Sequence, residues 1–260
     1  MIFSILIPTK DYTKGLKRIL ENIPEKNLNI KIIISDDSSN NKIKNYITKL
    51  DKKNITYIKN QPRLGLAKNW NQLLSLCKSE YFMYLHNDDY ITQKNFFANL
   101  FRIIKNENYP QVLSVKTKIV NNKSNSEKWH IKYFLRNFLY NMSKKYILRR
   151  NFIGPVSSLV IKNNNLPKFD TKLRWLVDVD FYYKLINKKK IKFTDELFIC
   201  AEYNSVFSQH HENKGKISAL NKKEFYYILK KYHFDNKSIF IIKFFEPIFW
   251  AMIRVVNFIV

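Results

Sequence analysis

EYFMYLHNDDY, residues 80–90, drives an apolar run, Tyr81 to Leu85, directly into His86, Asn87, Asp88 and Asp89. A short run of this kind reads as a strand buried on both faces. Ending it on two adjacent carboxylates sets like charges side by side. A hard divalent cation, Mg²⁺ or Mn²⁺, held through oxygen would offset that repulsion and neutralise substrate phosphates. A solvated Asp-Asp turn is the alternative.

Working outward, the first hundred residues alternate. IFSILIP (2–8) reads as a strand, and residues 13–23 as a helix with Leu16, Ile19, Leu20 and Ile23 on one face. IKIIIS (30–35) is a buried strand that runs into DDSSNN, which has turn and N-cap chemistry. The helix that follows carries Ile43, Tyr46, Ile47 and Leu50. ITYIKN (55–60) is a strand and residues 66–77 a helix, and these lead into the quoted stretch. Alternation at this pitch predicts βαβ units and a parallel sheet.

Three polar clusters then fall at carboxyl ends of strands: Pro8-Thr9, Asp36-Asp37 and Asp88-Asp89. In open α/β sheets ligands bind outside those ends. Asp36 and Asp37 could accept hydrogen bonds from a base or ribose, or Asp37 or Ser38 could cap the next helix.

Downstream, QVLSVKTKIV (111–120) reads as a strand, and WHIKYFLRNFLYNMSKKYILRR (129–150) is basic and aromatic. NFIGPVSSLVIKN (151–163) reads as a turn into a strand, WLVDVDFYYKLI (175–186) as a helix, and IKFTDELFICAEYN (191–204) as one or two strands. From Lys222 the chain is dense in Phe, Ile and Tyr with interspersed lysines, the pattern of one or two basic amphipathic helices broken near Pro247.

Composition bounds the function. With 45% hydrophobic and 15% aromatic residues among 260, the chain can fill a core. Lys and Arg number 46 against 21 Asp and Glu, a net charge of +25. Such a field attracts polyanions, namely nucleic acid, anionic lipid or phosphorylated substrates, although Lys, Asn and Ile are frequent throughout, as in AT-rich coding. Cys77 and Cys200 match no metal or redox spacing and read as buried free thiols of a reducing compartment. MIFSILIPTK lacks the basic region and cleavage site of a secretory signal. No run of about 20 uninterrupted apolar residues is present to span a bilayer.

Taken in order, SILIPTKD, IIISDDSSN, RLGLAKNWN and EYFMYLHNDDY resemble the motifs of the inverting family-two glycosyltransferases of the GT-A fold. The resemblance implies an α/β, Rossmann-like, mostly parallel sheet with helices on both faces. Residues 1–220 would form the catalytic domain, with 1–110 as its nucleotide-binding half and 111–220 as its acceptor half. Residues 221–260 would be a basic helical tail for a membrane surface or a dimer contact.

The resemblance also assigns roles. Pro8 and Thr9 would line the nucleotide pocket, Asp37 would contact the base with Asp36 beside it, and Lys68 would stand near the nucleotide. Asp88 and Asp89 would serve the ribose and a Mn²⁺ or Mg²⁺ ion. His86 stands where the family has the first Asp of LDxDD, and imidazole can itself ligate. VDVDFYYKL (177–185) aligns with the segment bearing the general base, which falls on Asp178, with Val177 in place of the usual Glu. Asp180 reads as a carboxylate of the helix's first turn. Gly154 and Ser157 belong to the loop shaping the donor-sugar and acceptor pocket. Trp175 would stack on a sugar or pack in the core. His210 and His211 would lie near the metal or pyrophosphate, or in solvent.

The implied activity is transfer of a sugar, hexosyl or N-acetylhexosaminyl, from a nucleotide-diphosphate donor, UDP above all, to a glycan or lipid-linked glycan in surface polysaccharide synthesis. Lipopolysaccharide and capsule are the expected pathways. The expected location is the cytoplasm, on the inner face of the plasma membrane, with the tail on anionic lipid. A catalytically inert nucleotide or glycan binder, and a nucleic-acid binder, are the alternatives. Acidic pairs at strand ends argue against the last, since they repel a phosphate backbone.

Overall fold

The computed structural model describes residues 1–24, 29–121, 124–131, 133–142, 144–148, 151–202 and 215–235. The first half is the alternation read above: β1 (Phe3–Thr9), α1 (Thr13–Glu21), β2 (Ile30–Asp36), α2 (Lys42–Leu50), β3 (Ile55–Lys59), α3 (Leu66–Leu76) and β4 (Tyr81–Tyr84). Neither Asp37 nor Ser38 caps α2; Asn41 holds the N-cap position.

The sheet order is β3-β2-β1-β4, all parallel, and then becomes mixed. β8 (Leu159–Lys162) is antiparallel to both β4 and β6 (Val112–Asn121). β9 (Ile191–Glu202) runs parallel to β6, and the short β5 (Asp89–Tyr90) pairs antiparallel to β9. β7 (Ser126–Trp129) forms a hairpin with β6. The segment 191–202 is one strand with an irregularity: its register jumps from Ser114–Phe193 to Lys116–Phe198. β5 carries the second aspartate of the opening stretch, so the acidic turn is itself pinned to the sheet.

Period-two alternation explains the two cores. In β1, Phe3, Ile5 and Ile7 face one side and Leu6 the other, and in β4 Tyr81 and Met83 oppose Phe82 and Tyr84. The first side is covered by α1, α2 and α4 (Phe96–Asn106), the last through Phe96, Phe97, Leu100, Ile103 and Ile104. The second is covered by α3, α5 (Tyr133–Met142), α6 (Val177–Lys188) and α7 (Ile217–Lys231). The fold is therefore α/β with helices on both faces.

α7 runs across the boundary expected at residue 220, and its Phe225, Ile228 and Leu229 lie in the core. The rest of the expected tail, 236–260, is outside the described residues. No described helix is long and apolar enough to cross a membrane.

The order β2-β1-β4 reverses direction at β1. The carboxyl ends of β1 and β4 therefore flank a crevice. Asn87, just beyond β4, donates from Nδ2 to Thr9 Oγ1 across it at 2.7 Å.

Candidate active site

The turn after β4 is tight: Asp89 N–H donates to the His86 carbonyl at 2.9 Å. Its other fastening is Ser157, buried in the short 3₁₀ turn Val156–Ser158. The Ser157 hydroxyl donates to Asp89 Oδ2 and receives the His86 N–H at 3.4 Å. α1 presses on the turn from the other side. A Cβ at Gly15 would lie 2.1 Å from the Asn87 carbonyl oxygen, so only glycine allows this approach.

The ring of His86 is stacked on Trp70 at 4.7 Å between centroids. Trp70 is braced by Phe169 (4.9 Å), which stacks in turn on Phe181 of α6 (4.1 Å). His86 Nδ1 lies 3.4 Å from Asp89 Oδ2, and Nε2 is buried with no partner among the described residues. Ligand atoms of His86, Asp88 and Asp89 all lie within 4.8 Å of one another.

An imidazole ligand atom within 4.8 Å of two carboxylates, on a ring whose Nε2 is left unpartnered among the described residues, suits a divalent cation, so the residues present fit the metal that the motifs imply. The electrostatics agree. Burial, then the Asp89 charge, pushes the Asp88 carboxyl up to about 7. Burial alone would lower the His86 pKa, but Asp89, Asp88 and Asp178 outweigh it and raise it.

Asp178 and Asp180 both sit in the first turn of α6 and diverge, as residues two apart on a helix must. Asp180 is fully buried and turns to the carboxyl end of α7, accepting from Lys231 Nζ and the Tyr232 hydroxyl, each at 2.7 Å. Asp178 faces the crevice, close enough to His86 for each to bias the other's ionisation. Its Oδ1 accepts from Val179 N–H at 2.8 Å and its Oδ2 from Asn151 Nδ2 at 2.9 Å. Burial dominates these donors and raises its pKa to about 6.

The Asp36–Asp37 pair is employed differently. Asp36 is fully buried and accepts from Ser38 N–H (2.8 Å), the Tyr57 hydroxyl (2.6 Å) and Lys59 Nζ (3.3 Å). Asp37 Oδ1 accepts from Asn60 Nδ2 (2.7 Å) and Leu64 N–H (3.1 Å), and Oδ2 from Gly65 N–H (2.7 Å). Asp37 thereby holds the entry to α3 against β2. Gly65 takes φ 76°, a backbone conformation that favours glycine.

The remaining expected residues are scattered around this centre. Pro8 is buried in β1 beside Ser35, and Lys68 is exposed in the first turn of α3. Trp175 is partly buried against the core, and its N–H donates to Glu224 at 2.9 Å. Gly154, at φ 110°, leads into the turn bearing Ser157. His210 and His211 lie outside the described residues.

Four further residues shape the site without having been singled out in the sequence. Asn151 bonds Asp178, and Tyr182 donates to the Gly154 carbonyl at 2.9 Å. Trp70 orients His86. Glu224 of α7 accepts the backbone N–H groups of Arg174, Trp175 and Leu176 at 2.8–2.9 Å, directly ahead of α6. Trp70, Tyr182 and Asn151 lie within the quoted stretches RLGLAKNWN, VDVDFYYKL and NFIGPVSSLVIKN, but nothing local marks Asn151, Tyr182 or Glu224, because each acts across the fold.

Comparison with known proteins bears on the family and the fold. The model of glycosyl transferase family 2 matches residues 4–161. No curated protein matches the chain. Among solved structures, S. aureus TarS residues 1–349 in complex with UDP-GlcNAc is 18% identical with a TM-score of 0.65, over 88% of this chain and 64% of that one. The same segment in complex with UDP is 18% identical with a TM-score of 0.60, over 86% and 65%. A longer S. aureus TarS structure is 17% identical with a TM-score of 0.60, over 92% of this chain and 45% of that one. The chain thus spans less than two thirds of the length of these structures, and at such identity the likeness is one of fold.

Proposed function

The chain belongs to glycosyl transferase family 2, and from that premise we propose that it moves a sugar from a nucleotide-diphosphate donor to an acceptor hydroxyl with inversion. The observation that carries this reading is the meeting of Asp178 with the His86–Asp88–Asp89 cluster across one crevice at the strand ends. The UDP and UDP-GlcNAc held by S. aureus TarS support a uridine nucleotide and a hexosyl or N-acetylhexosaminyl donor.

Asp178 is the general base. The acceptor oxygen attacks the anomeric carbon from the face opposite the diphosphate. Its proton passes to a carboxylate oxygen of Asp178, the carbon–oxygen bond to the diphosphate breaks, and its electron pair leaves with the phosphate. A pKa of about 6 leaves Asp178 mostly ionised at neutral pH yet basic enough to hold the proton. His86, Asp88 and Asp89 would hold Mn²⁺ or Mg²⁺, which supplies positive charge to the departing diphosphate. Thr9, Asp37 and Pro8 form the nucleotide wall, with Lys68 beside it. Gly154, Ser157 and Trp175 border the sugar and acceptor.

The acceptor is a glycan or lipid-linked glycan of a surface polysaccharide, lipopolysaccharide or capsule. Residues 236–260 combine Phe, Ile and Trp with Lys237, Lys243 and Arg254, a composition suited to an anionic membrane surface on the cytoplasmic side. Removing residues 238–260 is expected to release the protein from phosphatidylglycerol vesicles in a flotation assay.

Calorimetric titration with UDP, with and without Mn²⁺, tests the donor site. Binding that requires both the metal and Asp89 is expected. Equal binding by Asp89→Asn, or none by the wild type, would overturn it.

A further inference from the structure

Resting on the assignment of Asp178 as the base, we propose that Asn151 is a positioning residue for the transfer. Its amide fixes one oxygen of Asp178 and ties the base to the loop that fastens Asp89. Asn151 Oδ1 accepts from the backbone N–H groups of Ile153 (3.1 Å) and Gly154 (2.9 Å). Two converging donors decide which way the amide points, since a flipped amide would turn its own N–H groups against them. Nδ2 is thereby directed the other way, where it donates to the Gly154 carbonyl (2.8 Å) and to Asp178 Oδ2 (2.9 Å). Every donor and acceptor position of the amide is used.

Asp178 Oδ1 is held separately by Val179 N–H at 2.8 Å. Each carboxylate oxygen therefore has one fixed donor, and the lone pairs left over are those available to an acceptor hydroxyl. Tyr182, one turn along α6, donates to the same Gly154 carbonyl at 2.9 Å, so the helix grips the loop twice at i and i+4. The loop continues to Ser157, whose hydroxyl bonds Asp89. Asn151 thus stands where the acceptor wall joins the donor wall. The charged and titratable groups around Asp178 are His86, from the turn after β4, and Tyr182, which in turn feels Asp89 and Arg136.

Asn151→Asp is the discriminating variant. It keeps both acceptor bonds to the loop and replaces the two donors by a charged oxygen. Aspartate-selective ¹³C NMR titration of the full chain follows the Asp178 carboxyl, identified by its absence from Asp178→Asn. The expected result is a midpoint at least ~1 pH unit higher. UDP release from UDP-GlcNAc should fall at least ~10-fold, while affinity for UDP with Mn²⁺ stays within ~2-fold.

Asn151→Ala removes the donors without adding charge. It should move the midpoint the same way by less, and it stands in if Asn151→Asp does not fold. An unmoved midpoint in both variants, or UDP affinity lost in step with rate, would overturn the proposal. Failure of the underlying assignment shows elsewhere: Asp178→Asn releasing UDP at the wild-type rate would remove the base itself, whatever the midpoints do.

Discussion

Asp36–Asp37 and Asp88–Asp89 are written alike, each an Asp-Asp pair following an apolar strand of the same sheet. Their surroundings differ in the number of donors the protein supplies. The first pair receives Ser38 N–H, Tyr57, Lys59, Asn60, Leu64 N–H and Gly65 N–H. The second receives Ser157 and His86 on Asp89, and Asp88 is left with a proton affinity raised to about 7. A buried carboxylate with enough donors ties segments together, whereas one without them is left open to a proton or a cation. Motif letters do not separate the two cases; donor count does.

The widest test of this division concerns the third under-supplied carboxylate. Asp178→Asn is expected to lower turnover by about 10³-fold with UDP affinity unchanged, read by initial-rate kinetics beside calorimetry. Loss of UDP binding instead would move Asp178 into the nucleotide wall.

Next comes the contrast itself. Asp36→Asn should destabilise the protein by about 3 kcal/mol, because it leaves Lys59 and Tyr57 facing a neutral amide in the interior. Asp89→Asn should leave the melting temperature unchanged or raised, and remove metal-dependent UDP binding. Paired thermal melts decide: equal losses would erase the distinction.

A smaller effect is expected from Gly15→Ala. The added carbon meets the Asn87 carbonyl, so the acidic turn shifts. Metal affinity measured by Mn²⁺ electron paramagnetic resonance should fall by about 10-fold, while Asp36 and Asp37 keep their partners.

The gentlest test is pH. The Asp178 pKa is raised, so its ionised form is lost as pH falls through about 6. Turnover should be near half its plateau there in a pH–rate profile. The same shift means that folding favours the protonated acid, so the native state loses stability as pH rises from the ordinary carboxylate value of 3.8 to about 6, and the loss is complete above it. Asp178→Asn should therefore melt slightly higher than wild type at pH 8.

Sequence periodicity made the parallel half legible, because βαβ units repeat at short range. α4 shows why legibility is partial. Phe96, Phe97, Leu100, Ile103 and Ile104 have helical spacing, yet the segment follows the acidic turn without a strong cap and is easily passed over. β5 has two residues and exists only because β9 returns to it. At the site, the clustering of Asp88 and Asp89 with His86 was readable because they are neighbours in sequence at one strand end. Asn151, Tyr182 and Glu224 were not, because their partners lie 27, 28 and 48–50 residues away. The tail boundary drawn at 220 followed composition, and α7 crosses it because Phe225, Ile228 and Leu229 face the core while Lys222, Lys223 and Lys230 are exposed.

Glu224 has a consequence for the order of synthesis. The N–H groups of Arg174, Trp175 and Leu176, the segment that leads into α6, find their partner in a side chain about fifty residues further along. On the ribosome, the first half can fold while the segment leading into α6 still waits for this anchor. A nascent chain halted before residue 217 would hold a donor pocket and no properly seated base. With the roles proposed above, catalytic competence would arrive late in translation, when α7 closes over the chain that preceded it.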